Sequence, residues 1–540
     1  IYTILCILQS RGSFMTQQAC IISHLSLVFP HKTMFQDLQF SLEKQQVSAL
    51  IGRNGQGKSL LMQLLHEPSA TLPYRGKISW QTPHAYLAQL QRLTAKTIAD
   101  ALGVLQLHNA FERIHTSSAS FEDFDLVENQ WHLPALWHTQ LTEAQLPTDL
   151  SFPVQHLSEG QQTKLALCAL FLHSDHYLLL DEPSNHLDVE ARQWLIDCLK
   201  KHPAGALVIS HDQTLLNEVQ HIFALNEHGL QHIKGNFEDY YRHDQLQFSA
   251  LARSVDQQKR ELKQLKSQQN ESLMKAQKRE RSGKKLQASH SQAPILLDFK
   301  KEQAGQSLGA VRKQQQKQMT ELQSNLKMSQ LKVEHLTAQQ FAFRHRPIKT
   351  GEILRVDQLS LAFQDSIKLH FALQSGQKIQ LQGANGSGKS TFLRLLQAHN
   401  EVKHPNIFLA IQPVYLDQNF SFLNDTLTVL ENLKLLNPTI SETEWRNQLG
   451  QLRIRGDKAM QSLSELSGGE KLKVALLGLN YWPNNIELLL LDEPENHLDL
   501  ESKDLLAHAI QSYQGAVILV SHDMSFVEKC GIHQAVSLRK

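Results

Sequence analysis

One ordered set of motifs occurs twice along the chain, and this repetition limits the possible folds more than any other feature. GRNGQGKS at 52–59 returns as GANGSGKS at 383–390, and LSEGQ at 157–161 returns as LSGGE at 466–470. LLLDEPSNHLD at 178–188 returns as LLLDEPENHLD at 489–499, and VISHD at 208–212 returns as LVSHD at 519–523. Each copy needs its own core, and 540 residues are enough for two such bodies with a further segment between them. The matched lysines Lys58 and Lys389 are 331 residues apart, whereas the matched serines Ser158 and Ser467 are 309 apart. The first copy therefore holds about 20 extra residues between Gln89 and Leu157, which belong to a subdomain rather than to the repeated core.

Within each copy the pattern is α/β. The apolar run Val47–Ile51 leads into the first glycine loop, and a shorter, alternating run with Ile379 and Leu381 leads into the second. A helical stretch follows each loop, at 60–66 and 392–398. Apolar runs at 177–180 and 488–491 predict strands buried on both faces of a sheet.

The segment between the copies is of another kind. It is rich in Gln, Lys, Leu and Glu, which are good helix formers. Leu251, Val255, Leu262 and Leu265 are spaced for a heptad seam, as are Met319, Leu322, Leu326, Val333 and Leu336. The few glycines and the one proline bracket an irregular patch at 282–309. The spacing predicts two long helices joined by a tip, the first over 245–281 and about 55 Å long. The expected domains are 15–245, a helical linker at 246–345, and 346–540. Residues 1–14 are expected to be an upstream extension, with Met15 as the start.

Charge separates these parts. Residues 251–346 carry 20 Lys/Arg and 8 Asp/Glu, a net +12, while the rest of the chain sums to −11. A basic helical segment of this kind suits nucleic-acid phosphates, although a solvated coiled coil has the same composition. Arg279, Arg281, Lys284 and Lys285 lie on one side of the tip, Lys300 and Lys301 on the other, with the apolar run Pro294–Leu297 between them.

The motifs carry a definite chemistry. G-x-x-x-x-G-K-[ST] is a phosphate-binding loop. Gly52, Gly55 and Gly57, like Gly383, Gly386 and Gly388, let backbone N–H groups turn toward phosphate, with Asn54, Asn385 and Thr391 in the same segments. Lys58 and Lys389 are placed to reach the β and γ phosphates of a nucleotide, and Ser59 and Ser390 to ligate Mg²⁺. Asp181 and Asp492 end their strands where a metal is held, and Glu182 and Glu493 would polarise the attacking water. His211 and His522 follow an apolar strand in both copies, which favours a γ-phosphate contact over a structural role. Gln89 and Gln418 are candidates for sensing Mg²⁺ and the attacking water.

In order and spacing these residues resemble the ATP-binding cassette superfamily, over nearly all of 16–245 and 346–540. The resemblance implies two cassettes closing head to tail over two ATP molecules. Lys58 would then face Ser467, Gly468 and Gly469, and Lys389 would face Ser158 and Gly160. Phe29 and Phe363 sit where the family stacks an aromatic ring on adenine, and both also suit a core position. Two cassettes on one chain, the form DEP-x-NHLD in both, and a basic helical linker make the chain similar to the ABC-F class. That class implies a cytoplasmic ATPase that binds ribosomes, through rRNA and tRNA, and acts in translation regulation, rescue or antibiotic protection. The chain departs from the family pattern at Leu60, Glu159, Glu470 and Glu495, so equal turnover at the two sites does not follow.

Other classes fit less well. No apolar run reaches the roughly 18 residues of a membrane helix, so membrane insertion is not expected. The five cysteines form no C-x-x-C, which removes the zinc modules of excision-repair ATPases and favours a reducing compartment. The alternative is the ATPase subunit of a membrane transporter, which has little use for a basic hairpin between its cassettes.

Overall fold

A computed structural model describes residues 18–538, apart from 289–312 and the short stretches 69–71, 89–93, 186, 227–228, 315, 331–332, 334–338, 340, 345–349, 362–363, 385 and 401–402. Residues 1–14, Gln89, Phe363, Asn385 and most of the linker tip therefore lie outside the described residues. Packing divides the chain into one unit within Ile1–Asp239 and Gln339–Lys540 and a second within Tyr240–Ala338.

The first cassette opens with β1 (Gln18–Phe29), β2 (Lys32–Glu43) and β3 (Val47–Ile51), followed by helix α1 (Lys58–His66) and strands β4 (Tyr74–Trp80) and β5 (His84–Leu87). Four helices come next: α2 (Ile98–Ala101), α3 (Leu105–His115), α4 (Phe121–Val127) and α5 (Leu133–Glu143). Then follow α6 (Glu159–Phe171), β6 (Tyr177–Asp181), α7 (Val189–Lys201), β7 (Ala206–Ile209), α8 (Gln213–Leu216), β8 (His221–Asn226) and β9 (Gly229–Lys234). The main sheet has the order β5-β6-β7-β3-β8-β9, parallel except for β9. All residues of β3, β6 and β7 are buried, as expected for strands covered on both faces. A smaller antiparallel sheet, β2-β1-β4, packs its alternate apolar residues Ile22, Leu25, Leu27 and Phe35 with Leu61, Leu64 and Leu65 of α1.

After α9 (Phe237–Ala288), the second cassette repeats this plan. Its strands are β10 (Glu352–Leu361), β11 (Gln364–Gln374), β12 (Lys378–Gln382), β13 (Ile407–Leu409) and β14 (Val414–Asp417), with α10 (Lys389–Gln397) after β12. Helices α11 (Val429–Leu436) and α12 (Glu442–Gln451) are followed by α13 (Gly468–Asn480), β15 (Leu488–Asp492), α14 (Leu500–Ser512), β16 (Ala516–Val520), α15 (Met524–Lys529) and β17 (Gln534–Ser537). The parallel sheet is ordered β14-β15-β16-β12-β17, beside an antiparallel β11-β10-β13. Between β5 and α6 the first cassette has α2 to α5, where the second, between β14 and α13, has only α11 and α12 as α-helices. The extra residues of the first copy are thus helical.

The alternating run before the second glycine loop is buried more fully than its pattern implies. Gln380 lies between Ile379 and Leu381, is only 3% exposed, and donates its amide to the Ser521 carbonyl at 3.1 Å. A polar side chain is tolerated inside the sheet because its N–H group has a partner.

In the linker, α9 spans 52 residues, about 78 Å at 1.5 Å per residue, and begins earlier than the spacing predicted. Residues 316–330 are helical as well. Val255 and Leu326 are buried, while Leu251, Leu262, Leu265, Met319, Leu322 and Val333 are half-buried among mostly exposed polar neighbours. The apolar seam is therefore the sheltered side of both segments. Of the basic residues before the tip, Lys275, Lys278 and Arg281 are exposed.

Trp445 of α12 is fully buried in the helical core of the second cassette, with its ring 5.0 Å from that of Tyr481. Trp445→Ala is expected to lower the stability of that cassette by about 3–5 kcal/mol, read as an earlier urea transition.

Candidate functional site

Strand order places the motifs side by side. β6, β7 and β3 are neighbours in register, with Asp181 opposite Ile209 and Leu50 opposite Ile209. Their carboxyl ends release the Asp181-Glu182 pair, the Ser210-His211 segment and the glycine loop at Gly52 on one edge of the sheet. In the second cassette β15, β16 and β12 do the same, with Asp492 opposite Val520 and Gln380 opposite Leu519. Ligand crevices of parallel α/β sheets lie at this edge.

The loops wrap their lysines. Lys58 Nζ donates to the carbonyls of Gly52 at 2.6 Å and Arg53 at 3.2 Å, and Lys389 Nζ to those of Gly383 at 2.8 Å and Ala384 at 3.0 Å. Both lysines are only 7% exposed, and burial lowers both pKa values against the pull of nearby carboxylates. Such buried cations are set to receive anionic charge. Gly57 and Gly388, each with φ 92°, hold the left-handed turn that starts α1 and α10. Neither helix start has a side-chain cap, whereas α6, α7, α13 and α14 are capped by Ser158, Asp188, Ser467 and Asp499. Bare N–H groups beside a buried lysine fit a polyphosphate.

Asp181 is 2% exposed, and its Oδ1 has no hydrogen-bond partner. Burial raises its pKa, opposed by a hydrogen bond from Ser59 and by the charge of Lys58. A carboxylate and a hydroxyl brought together beside phosphate-binding N–H groups fit a divalent cation. Asp492 differs, because its Oδ2 accepts a 2.8 Å hydrogen bond from the Tyr415 hydroxyl.

Glu182 and Glu493 both adopt left-handed backbone, with φ 52° and 47°. Their N–H groups continue the pairing of the sheet, to Ile209 O and Val520 O at 2.9 Å each, so the strained turn is locked by the neighbouring strand. Glu182 Oε1 lies 3.4 Å from His211 Nε2, and Glu493 Oε1 3.5 Å from His522 Nε2. Burial pushes the Glu182 carboxyl up to about 7, lowers His211 well below its usual value, and lowers His522 to about 4. At neutral pH these imidazoles are uncharged, so neither approach is an ion pair. Asn496 Nδ2 donates to Glu493 Oε2 at 2.6 Å and reaches Gln418 Oε1 at 3.5 Å, joining Gln418 to the glutamate.

The two cassettes meet at these sites. Asp499 Oδ2 accepts from the N–H of Asn54 at 2.9 Å, Asn54 Nδ2 donates to His497 O at 2.9 Å, and Arg53 pairs with Glu501 at 2.7 Å. A Cβ on Gly468 would stand 3.8 Å from Asn54 Nδ2, so the LSGGE segment of the second cassette lies against the first glycine loop. On the other side, the charge of Asp188 acts on both Lys389 and His522.

Several of the motif residues have structural duties here. Ser158 and Ser467 form capping boxes with Gln161 and Glu470. The Glu470 carboxylate serves that box and pairs with Lys458, so it does not act as a free charge. Glu159 is exposed. Gly469 packs closely enough against Ser502 that a Cβ would stand 2.2 Å from its Oγ, and Gly160 lies in the first turn of α6. Phe29 is half-buried against the first core, while Ser59 and Thr391 are exposed and Ser390 half-buried. The structure also brings in residues that motif reading passed over: Asp188, Asp499, Arg192 and Lys503. Their signal is in the repeat, since each copy ends its NHLD with an Asp and has a basic residue four positions later.

The family model for the ABC transporter matches residues 35–185 and 367–496, just over half of the chain. The chain is 26% identical to "ABC transporter F family member 2" of Arabidopsis thaliana, over 98% of this chain and 78% of that protein. It is 25% identical to "Ribosome protection protein VmlR" of Bacillus subtilis (strain 168), over 94% of this chain and 84% of that protein. Among solved structures it shares the fold of an archaeal ribosome recycling factor, aABCE1, in complex with stalk protein aP1. That match has a TM-score of 0.51 and 16% identity, over 95% of this chain and 87% of that one.

One difference between the cassettes is measurable. Ser184 bonds Ser210 at 3.2 Å, but the matching Glu495 bonds Ser521 with Oε1 and leaves Oε2 without a partner at 2% exposure. Burial raises Glu495 to about 7, opposed by Ser521 and Lys503. Its folded pKa exceeds the ordinary 4.5, so its contribution to stability is complete below pH 4.5 and is lost as pH rises through 7. Glu495→Gln cannot lose it. The variant should gain on the parent between pH 5 and pH 8, by on the order of 2 kcal/mol, in paired thermal melts.

Proposed function

Because the chain belongs to the ATP-binding cassette family, it is an ATPase, and we propose that it is one of the ABC-F class, acting on ribosomes in the cytoplasm. Two paired cassettes supply the hydrolysis. The observation that carries the rest is the basic helical segment between them, net +12 against −11 elsewhere, with Lys275, Lys278 and Arg281 exposed. Phosphate-rich RNA is the partner that such a segment fits, as rRNA or tRNA. The similarity to a ribosome protection protein supports this reading. Translation regulation, rescue and antibiotic protection are all roles that such binding can serve.

In the mechanism we propose, Lys58 and the N–H groups from Gly52 to Ser59 hold the phosphates of one ATP. Lys389 and the loop of 383–391 hold those of the other, with Asn385 and Thr391 in that loop. Ser467, Gly468 and Gly469 close over the first nucleotide, and Ser158 and Gly160 over the second. Phe29 and Phe363 flank the adenines. Ser59 with Asp181 and Gln89, and Ser390 with Asp492 and Gln418, are the residues that would hold Mg²⁺, which supplies charge neutralisation at the phosphates when bound. Glu182 and Glu493 orient the attacking water and accept its proton. The uncharged rings of His211 and His522 can each donate one N–H to the γ-phosphate, which fixes its position. Transfer to water depends on this positioning more than on covalent chemistry by the protein. Closure over ATP favours ribosome binding, and hydrolysis releases it.

Glu182→Gln with Glu493→Gln keeps both nucleotides bound and is expected to sediment with ribosomes through sucrose only when ATP is present. A double variant that fails to move with ribosomes in any condition, or that moves with membranes, would overturn the ribosomal reading in favour of a transporter subunit. In the same assay Lys275→Ala, Lys278→Ala and Arg281→Ala together should weaken association. The log–log salt slope should also fall, by roughly one unit for each phosphate that no longer has a cation beside it.

A further inference from the structure

A small polar cavity at the cassette interface is lined by Glu182, Ser184, Arg192, His211, Glu495 and Lys503, among others. Arg192 and Lys503 occupy matching places, four residues after the aspartates that cap α7 and α14. Each is mostly buried, with its side chain 16% and 15% exposed. Each leans on an aspartate of its own cassette, Arg192 on Asp212 at 3.5 Å and Lys503 on Asp523 at 3.3 Å. Each then donates across the interface. Lys503 Nζ reaches the carbonyl of His211 at 3.0 Å, and Arg192 Nη1 reaches the carbonyl of His522 at 3.2 Å.

We propose that Arg192 and Lys503 are positioning residues that act in trans, each holding the backbone of the opposite cassette's histidine where that histidine faces its glutamate. Lys503 sets His211 against Glu182, and Arg192 sets His522 against Glu493. The ring nitrogens that face the glutamates have no hydrogen bond to orient them: both nitrogens of His211 and the Nε2 of His522 are buried without a partner. With those nitrogens unbonded, the main chain is what sets where each ring starts, and the carbonyl contact from Lys503 or Arg192 is one that depends on the cassettes being together. A carbonyl bonded to a charged donor is held more firmly than one bonded to a neutral group. Opening the interface withdraws that donor, so the histidine is fixed only when both cassettes are in place. The inference rests on ATP hydrolysis and not on the ribosomal reading, and its test uses no ribosomes.

The test measures turnover at each site separately. The full-length protein is incubated with a photoactivatable ATP and vanadate, irradiated, and the labelled peptides are assigned to 15–245 or 346–540 by mass spectrometry. Lys503→Ala should cut trapping in the first cassette at least about tenfold while changing the second less than about threefold, and Arg192→Ala should do the reverse. Lys503→Arg and Arg192→Lys, which keep a charged donor, should restore trapping. If an alanine variant folds poorly, Lys503→Gln and Arg192→Gln carry the same comparison. Equal loss in both cassettes would assign these residues to general interface stability, and unchanged trapping would remove their role; either result overturns the proposal.

Discussion

The site rests on the register of three adjacent parallel strands in each cassette. Because β6, β7 and β3 end nearly level, the carboxylate pair, His211 and the glycine loop emerge within reach of one another without any long loop to carry them. The same holds for β15, β16 and β12. The cost is a cluster of ionisable groups removed from water, visible in the lowered lysines, the raised Glu182 and the uncharged histidines. Such groups are tolerated because each offsets another.

The second constraint is that each cassette completes polar contacts of the other. Asn54 is satisfied by Asp499 and His497, and the main chains of His211 and His522 by Lys503 and Arg192, all across the interface. Buried polar groups of one cassette thus find their partners on the other. These cross-interface contacts follow the ordinary rule that buried polar atoms find partners.

Much of this was legible from residues. The repeat named the strands and loops, because phosphate binding and metal chemistry need fixed residue types at fixed spacing, while the head-to-tail facing of the two copies came only from the family resemblance. The heptad spacing of Leu251, Val255 and Leu326 anticipated the sheltered side of the linker. Less legible was anything set by the packing of distant segments. Gln380 reads as a break in an apolar pattern, and only its contact with Ser521 explains its burial. Glu470 reads as an added charge, yet it is consumed by a helix cap and Lys458. Arg192 and Lys503 recur at one place in the repeat, four residues after the NHLD aspartate, but what each basic group touches shows only when the opposite cassette is seen beside it.

The pairing of Ser184 with Ser210 on one side and of Glu495 with Ser521 on the other is a difference that a pair of identical subunits could not hold. Two-fold symmetry would have forced the same residue onto both halves, and two buried carboxylates would have doubled the desolvation cost. Tandem fusion in one polypeptide removes that restriction. It lets the halves drift apart in cost and timing, so that an assembly built like a dimer can have a distinguishable first and second event.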